Sequence, residues 1–183
     1  MRIFIAIEIP KGIKEYIYGI QENIRDNNVK AKFVGMPQMH LTLKFLGEVS
    51  DTDIEKIKEL LKNIKFDAYK AKLDKIGVFP NESYIKVIWV GIEDNNKTMC
   101  LQQKIDSLLI NLFKKEKKFH PHITLARVRF VKDKNNFIEK LNNIEIEKKG
   151  FGIKEFKVIK STLTAQGPVY EDLDVFGLIN HKP

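Results

Sequence analysis

Two short segments of the chain contain the residue types best suited to acid–base chemistry. Residues 40–43 read His-Leu-Thr-Leu and residues 122–125 read His-Ile-Thr-Leu. Because side chains alternate along a strand, the histidine and threonine of each segment share one face and the aliphatic residues share the other. Imidazole titrates near neutrality, so a neutral histidine can take a proton from water while a protonated one gives a proton to the leaving oxygen. His40 and His122 together therefore suit phosphodiester cleavage.

The threonines and one arginine complete the proposed chemistry. Thr42 and Thr124 can donate their hydroxyls to phosphoryl oxygens as charge builds up, so that the reaction requires no metal or other cofactor. Arg127 follows His122 by five residues, and strict alternation would put it on the opposite face of the strand. A β-bulge after Thr124 would bring Arg127 to the histidine face as a phosphate clamp, and a surface ion pair is the alternative.

Aromatic side chains near the second histidine segment are candidates for contact with a nucleobase. Phe79, beside a predicted turn at Pro80, is the candidate for stacking, whereas Trp89 is predicted to pack in the core. His120 is expected at the mouth of the cleft. A metal site formed by His120 and His122 would lack a third ligand.

The remaining charges and the cysteine give weaker signals. Thirty-two Lys and Arg against 24 Asp and Glu give a formal net charge of +8, which attracts polyanions such as RNA but also occurs simply for solubility. Lysines of the tract 114–118 are expected to take part in RNA capture. Lys44 and Arg129 are predicted to be solvated charges. Cys100, the only cysteine, cannot form an internal disulfide and is predicted to be a buried apolar residue.

Hydrophobic periodicity predicts alternating strands and helices. Apolar stripes over residues 13–24, 54–64 and 101–112 predict helices, with a shorter one over 135–141. Strands are predicted over residues 2–8, 32–34, 40–48, 68–76, 84–92, 122–130, 155–163 and 169–176, with turns at 80–81 and 166–168.

These elements form an internal repeat. Ile3 lies in a strand 37 residues before His40, and Ile85 lies in a strand 37 residues before His122, so the two halves are offset by 82 residues. A unit used twice predicts an α+β fold with two pseudo-symmetric lobes, each an antiparallel sheet with helices on its outer side. We expect residues 1–183 to form one bilobal domain, with the two histidine strands meeting in a central cleft.

The chain resembles the two-histidine phosphoesterase superfamily, and within it the RNA 2′,3′-cyclic phosphodiesterases, formerly named 2′,5′-RNA ligases. The resemblance rests on RIFIAIEIP, FVGMPQMHLTLKFLGEV, GVFPNESYIKVIWVG, FHPHITLARVRF and STLTAQGPVYE, which together span nearly the whole chain. It implies hydrolysis of an RNA 2′,3′-cyclic phosphate to a 2′-phosphate, with His40 as proton donor and His122 as proton acceptor. It also implies that Arg127 is a phosphate clamp.

Other functions remain open at this stage. The same site could run backward and join RNA ends through a 2′,5′ linkage, with tRNA fragments as one candidate substrate. The alternatives are a non-catalytic, basic RNA-binding module and a cyclic phosphodiesterase acting on a small nucleotide. No segment approaches the roughly 20 apolar residues of a membrane span, and no signal peptide is recognisable. We therefore expect a cytoplasmic protein without an obligate protein partner.

Overall fold

The computed structural model describes residues 1–165 and 167–180, and this part of the chain contains nine strands and four α-helices. The helices are α1 (Lys11–Ile24), α2 (Asp51–Leu61), α3 (Lys97–Leu108) and α4 (Lys134–Asn142). The strands are β1 (Arg2–Glu8), β2 (Val29–Phe33), β3 (His40–Glu48), β4 (Tyr69–Asn81), β5 (Tyr84–Glu93), β6 (His122–Val131), β7 (Gly150–Ile153), β8 (Glu155–Thr164) and β9 (Gly167–Gly177). None of the helices in the described residues is long and apolar enough to cross a membrane.

The strands form a single antiparallel sheet in the order β7-β4-β5-β6-β3-β1-β8-β9, with β2 paired to β6 off this path. The α+β class predicted from the sequence is confirmed. The two halves of the sheet meet where β3 and β6 pair through Leu41 and Ile123. Beyond that pair, the same β6 strand is joined by β2. The division into two lobes with a cleft stays a prediction.

The helices cover one face of the sheet. Buried residues of all four helices join one large apolar cluster together with the buried faces of the strands. The repeating isoleucines of α1 are typical of this packing, since they recur at helical spacing and are nearly all inaccessible to solvent. A separate small cluster of Phe4, Ala6 and Ile159, with Tyr170 against it, lies on β1, β8 and β9. We call the helix-free side of the sheet, which carries this cluster, the open face.

Most predicted elements are confirmed, with a few differences. Strand β4 continues through Pro80 to Asn81, so the β4–β5 turn lies at residues 82–83 rather than at Pro80. Strand β7 was not predicted, because its four residues, two of them glycine, give too short a pattern. Cys100 is exposed on α3, and the prediction that it is buried is wrong. The predicted turn at 166–168 includes Gln166, which lies outside the described residues.

The prediction that Lys44 is a solvated charge is also wrong. Lys44 is 2% exposed, and its ammonium group donates to Asp106 at 2.5 Å and to the carbonyl oxygen of Lys114 at 2.8 Å. Burial alone would raise the pKa of Asp106, but hydrogen bonds from Lys44, the Glu116 amide and Gln102 lower it. Lys44 and Asp106 are 62 residues apart, so local sequence carries no sign of this pair.

The buried pair leads to a stability prediction. We expect Asp106→Asn to destabilise the protein by about 3–5 kcal/mol, because the ammonium group of Lys44 would stay buried without its counter-charge. The matched control is Glu55→Gln, which removes the exposed partner of Lys58 and should cost less than about 1 kcal/mol. Urea unfolding of both variants at neutral pH measures the difference. Equal losses would contradict a structural role for the buried pair.

Candidate active site

The two histidine segments lie on the neighbouring central strands β3 and β6. Leu41 pairs with Ile123, and both side chains are completely buried. His40 and Thr42 flank Leu41 on β3, and His122 and Thr124 flank Ile123 on β6, so the four polar residues surround this one pair. Because alternate residues point to opposite sides, all four polar side chains lie on the open face. The structure therefore brings the four predicted residues together.

Both imidazoles are oriented by the same backbone contact. His40 Nδ1 is 2.7 Å from the carbonyl oxygen of Gln38, and His122 Nδ1 is 2.7 Å from that of His120. Because a carbonyl oxygen only accepts, each Nδ1 carries the hydrogen and donates it. In the neutral ring, each Nε2 then keeps its lone pair for proton transfer. The contact joins residues two apart in both halves, as the repeat requires.

The environment keeps His40 neutral in the absence of an anion. Burial lowers the pKa of His40 from 6.5 to about 4. The hydrogen bond to the Gln38 carbonyl raises it, and the positive charges of Lys14, Arg127 and His122 lower it further. Burial also lowers the pKa of His122, with further lowering by the charges of His120 and Arg127. A bound phosphate would supply the negative charge that favours protonation of these rings.

A bulge follows each threonine. On β6, Ile88 pairs with Ala126 while Trp89 pairs with Thr124, so that Leu125 is the additional residue. The bulge brings Arg127 onto the face of His122 and Thr124, which is the arrangement expected from the alternative with a bulge. The positive charge of Arg127 lowers the pKa values of His40, His122 and Tyr170, so Arg127 lies near both histidines. It makes no ion pair with a carboxylate of the described residues.

The same distortion occurs on β3. Ile5 pairs with Lys44 while Ala6 pairs with Thr42, so that Leu43 is the additional residue. As a result, Lys44 turns to the helix-covered side and Phe45 turns to the open face, where its side chain is 63% exposed. Phe45 is the repeat equivalent of Arg127 by the 82-residue offset.

Aromatic side chains surround each histidine. The His40 ring lies 4.8 Å from Phe4 and 5.4 Å from Tyr170, measured between centroids. Phe79 lies 5.0 Å from His122 and 5.9 Å from His120. The predicted candidate Phe79 thus contacts a histidine of the site, from strand β4 rather than from a turn. Sequence reasoning missed Phe4 and Tyr170, since only strand order brings β1 and β9 close to β3.

Trp89 packs among the aromatic side chains beside His122 and lies outside the large apolar cluster. It is buried, but its indole lies 4.6 Å from His120 and 4.9 Å from Phe79 between centroids. The prediction that Trp89 packs in the interior is confirmed by its burial, and its neighbours there are these rings. Gly77 makes room for the indole, because a Cβ at Gly77 would lie 2.2 Å from an indole carbon. His120 is exposed beside these rings, and its place at the mouth of a cleft stays a prediction.

Comparison with known proteins gives consistent matches over nearly the whole chain. Residues 7–89 and 91–170 match the model of a family described as LigT like phosphoesterase. A protein of Methanocaldococcus jannaschii named RNA 2′,3′-cyclic phosphodiesterase is 43% identical over 176 residues, covering 93% of this chain and 97% of its own. A Thermotoga maritima protein of the same name is 34% identical, covering 94% and 93% of the two chains.

Solved structures share the fold. A crystal structure of a Thermus thermophilus protein superposes with a TM-score of 0.78 at 26% identity, covering 97% of both chains. The E. coli LigT structure with 3′-AMP has a TM-score of 0.75 at 24% identity, covering 97% of both chains. Among the described residues, no group of three or more His, Cys, Asp or Glu side chains is arranged to hold a metal ion.

The lowered pKa of His40 predicts an acid-sensitive fold. The pKa is about 4 in the folded protein and 6.5 in the unfolded chain, so between these values the unfolded state binds more protons. The contribution of neutral His40 to the free energy of unfolding is therefore fully present above pH 6.5 and is lost as the pH falls towards 4. We expect wild type to lose about 2 kcal/mol more than His40→Gln between pH 7 and pH 4.5, measured by urea unfolding. Parallel losses in the two proteins would contradict a His40 that the folded structure keeps neutral.

Proposed function

This chain belongs to the LigT-like phosphoesterase family, and on that premise we propose that it is a hydrolase that opens the 2′,3′-cyclic phosphate at the end of an RNA to a 2′-phosphate. The relatives from archaea and bacteria that carry the name RNA 2′,3′-cyclic phosphodiesterase support this reaction. The observation that carries the proposal is the set of two histidines and two threonines around the Leu41–Ile123 pair.

The proposed reaction requires one proton to be removed and one to be supplied. Water attacks the phosphorus and forms a new P–O bond while His122 Nε2 takes its proton. The bond from phosphorus to the 3′-oxygen breaks, and protonated His40 gives its proton to that oxygen. These roles follow the family resemblance. Thr42, Thr124 and Arg127 hold the non-bridging oxygens, where negative charge increases in the transition state.

Proton donation by His40 depends on the substrate itself. A donor with a pKa of about 4 is mostly neutral at pH 7, so the free protein rarely carries the required proton. The phosphate of the substrate raises this pKa because its negative charge stabilises the imidazolium ion. Substrate binding and protonation of His40 are therefore coupled. Arg127 forms no ion pair with a carboxylate of the described residues, so its charge is available to bind the phosphate.

We also propose a reversible 2′,5′-ligase reaction at the same site, in which a hydroxyl group replaces water as the nucleophile. A ribose 5′-hydroxyl that takes the position of water would attack the cyclic phosphate and leave a 2′,5′ linkage, with the same proton transfers. RNAs ending in a cyclic phosphate, tRNA fragments among them, are the proposed substrates. A small cyclic nucleotide would meet the same histidines, so comparing a nucleoside 2′,3′-cyclic phosphate with an oligonucleotide separates the two substrate classes.

The histidine variants test the proposed function. We expect His40→Ala and His122→Ala each to lower kcat by about 10²–10⁴-fold on a short RNA ending in 2′,3′-cyclic phosphate, because each removes a proton-transfer group. Thr42→Ala and Thr124→Ala should lower kcat/KM by roughly 10–100-fold, since each removes one hydrogen bond to a charged oxygen. Product analysis should show a 2′-phosphate with or without a chelator. A folded His122→Ala protein with ordinary turnover would refute the proposal.

The pH dependence gives a second test. Both histidine pKa values are lowered in the free protein, so we expect a bell-shaped kcat/KM profile with its maximum below pH 6.5. In the kcat profile, the descending limb should lie at higher pH than in the kcat/KM profile, because the bound anion raises the pKa of the proton donor. Steady-state rates from about pH 4 to about pH 9 provide both profiles, since this interval brackets the titration of histidine. Superimposable profiles would show that the phosphate does not act on the donor.

A further inference from the structure

A second group of exposed side chains lies on the open face beyond the active site. On the β6 strand, Arg127 pairs with Lys32 of β2 on one side and with Val87 of β5 on the other. Farther along, Phe130 pairs with Lys30. Residues paired across strands share a face, so these side chains continue the row that begins with the histidine and threonine of β6.

The orientation of β2 follows from its packing. Val29, Ala31 and Phe33 pack against the core below the helix-covered face, so the intervening Lys30 and Lys32 point to the open face. On β5, buried Ile85 separates exposed Tyr84 from Lys86, which is the additional residue of a bulge between the pairs Ile85–Pro80 and Val87–Phe79. The ammonium group of Lys86 lies over the Tyr84 ring, so the two side chains are on the same side of the sheet.

A further bulge on β6 turns an aromatic residue outward. Ala31 pairs with Val128 and Lys30 pairs with Phe130, so that Arg129 is the additional residue. Val128 and Val131 are both buried, and Arg129 and Phe130 between them are exposed. The Phe130 ring is 59% exposed, so its face is accessible to a planar partner.

The cations of this region have no carboxylate partners. Within residues 1–165 and 167–180, neither Lys30, Lys32, Lys86 nor Arg129 forms an ion pair, although lysines elsewhere form many. Lys32 even lies directly opposite Arg127, and like charges in that position destabilise a sheet. This arrangement does not stabilise the fold, but it would stabilise a complex with a polyanion, whose negative charge offsets the repulsion between the two cations.

The other half of the sheet is different in charge. There, Lys157 of β8, which lies opposite Ala6 on the open face, pairs with both Glu8 and Asp172. Its charge is thus already neutralised. The open-face cations near β6 lack such carboxylate partners among the described residues, which favours a path for a polyanion from the active site over β6, β2 and β5.

Two exposed rings accompany the cations. Tyr84 is 56% exposed, and the ammonium group of Lys86 lies 4.5 Å from its ring centroid. Lys134, which follows the end of β6 closely, donates to the carbonyl oxygen of Ser83 and so joins the β4–β5 turn to this region. Tyr84 and Phe130 therefore lie at the same end of the sheet. Exposed aromatic rings among unpaired cations are typical of surfaces that bind single-stranded nucleic acid.

We propose that Lys30, Lys32, Tyr84, Lys86, Arg129 and Phe130, together called the sheet-end surface, bind the single-stranded RNA that precedes the cyclic phosphate. Bases stack on Phe130 and Tyr84, and the lysines and Arg129 contact the phosphates. This inference rests on the proposed function, because the active site fixes the 3′ end of the strand beside Arg127. Its consequence is that oligonucleotides are better substrates than a single cyclic nucleotide.

Aromatic variants test the surface with two substrates. We expect Phe130→Ala and Tyr84→Ala each to lower kcat/KM roughly 10-fold for a single-stranded RNA of about eight nucleotides ending in 2′,3′-cyclic phosphate. Neither should alter kcat or KM for a nucleoside 2′,3′-cyclic phosphate, which does not reach the surface. Tyr18→Ala is the matched control, since Tyr18 is 43% exposed on α1 and should affect neither substrate.

Charge variants test the same surface by salt dependence. The double variant Lys30→Gln/Lys32→Gln should reduce the slope of log affinity against log salt by about 1.4 for the oligonucleotide, because two phosphate contacts are lost. The matched control is Lys115→Gln/Lys117→Gln, which removes equal charge from the 114–118 tract. That tract is held by Lys44 on the helix-covered side, so the control should change the slope little.

Several results would overturn the inference. Equal loss on both substrates for Phe130→Ala would indicate a structural effect on the active site. A slope reduced only by the 115/117 control would assign RNA capture to that tract, and tighter binding of duplex RNA would exclude stacking of splayed bases. If wild type hydrolyses neither substrate, the proposed function fails. Anisotropy titration with the oligonucleotide would then still show whether the sheet-end surface binds RNA.

Discussion

The pairing of Leu41 with Ile123 is the contact on which the site depends. Both side chains are completely buried, so burial fixes which face of β3 and of β6 points to the helices. Since strand residues alternate, that choice also fixes the histidines and threonines on the open face. A slip of one residue on either strand would expose an aliphatic residue and bury a histidine. Hydrophobic packing thus determines the position of the catalytic candidates, without any direct bond between them.

Bulges then give the two similar strands different chemistry. Each strand carries one additional leucine after its threonine, which reverses the alternation beyond that point. The following open-face residue is Phe45 on β3 and Arg127 on β6, so an aromatic ring and a cation occupy equivalent positions. The residue displaced to the other side on β3 is Lys44, which needs Asp106 as a buried partner. Sequence symmetry is therefore kept in the backbone and broken in the charges.

The electrostatics of the site suit a protein that binds an anion before it acts on it. Burial and neighbouring cations lower both histidine pKa values, and Arg127 has no carboxylate partner among the described residues. A site in this state is short of negative charge, and a phosphate supplies it. The row of unpaired cations that continues over β2 and β6 extends the same property along the sheet.

The sequence by itself determined the class of fold, most strand and helix positions and the four central polar residues. Those features are local, because periodicity, the repeat and the His-x-Thr spacing are read within short segments. Tertiary structure alone decided which strands are neighbours, and with them the contacts of Phe4, Tyr170 and Trp89 with the histidines. It also decided that Lys44 is buried, since its partner Asp106 lies 62 residues away, and that Arg127 faces the site, since a bulge is a property of two paired strands.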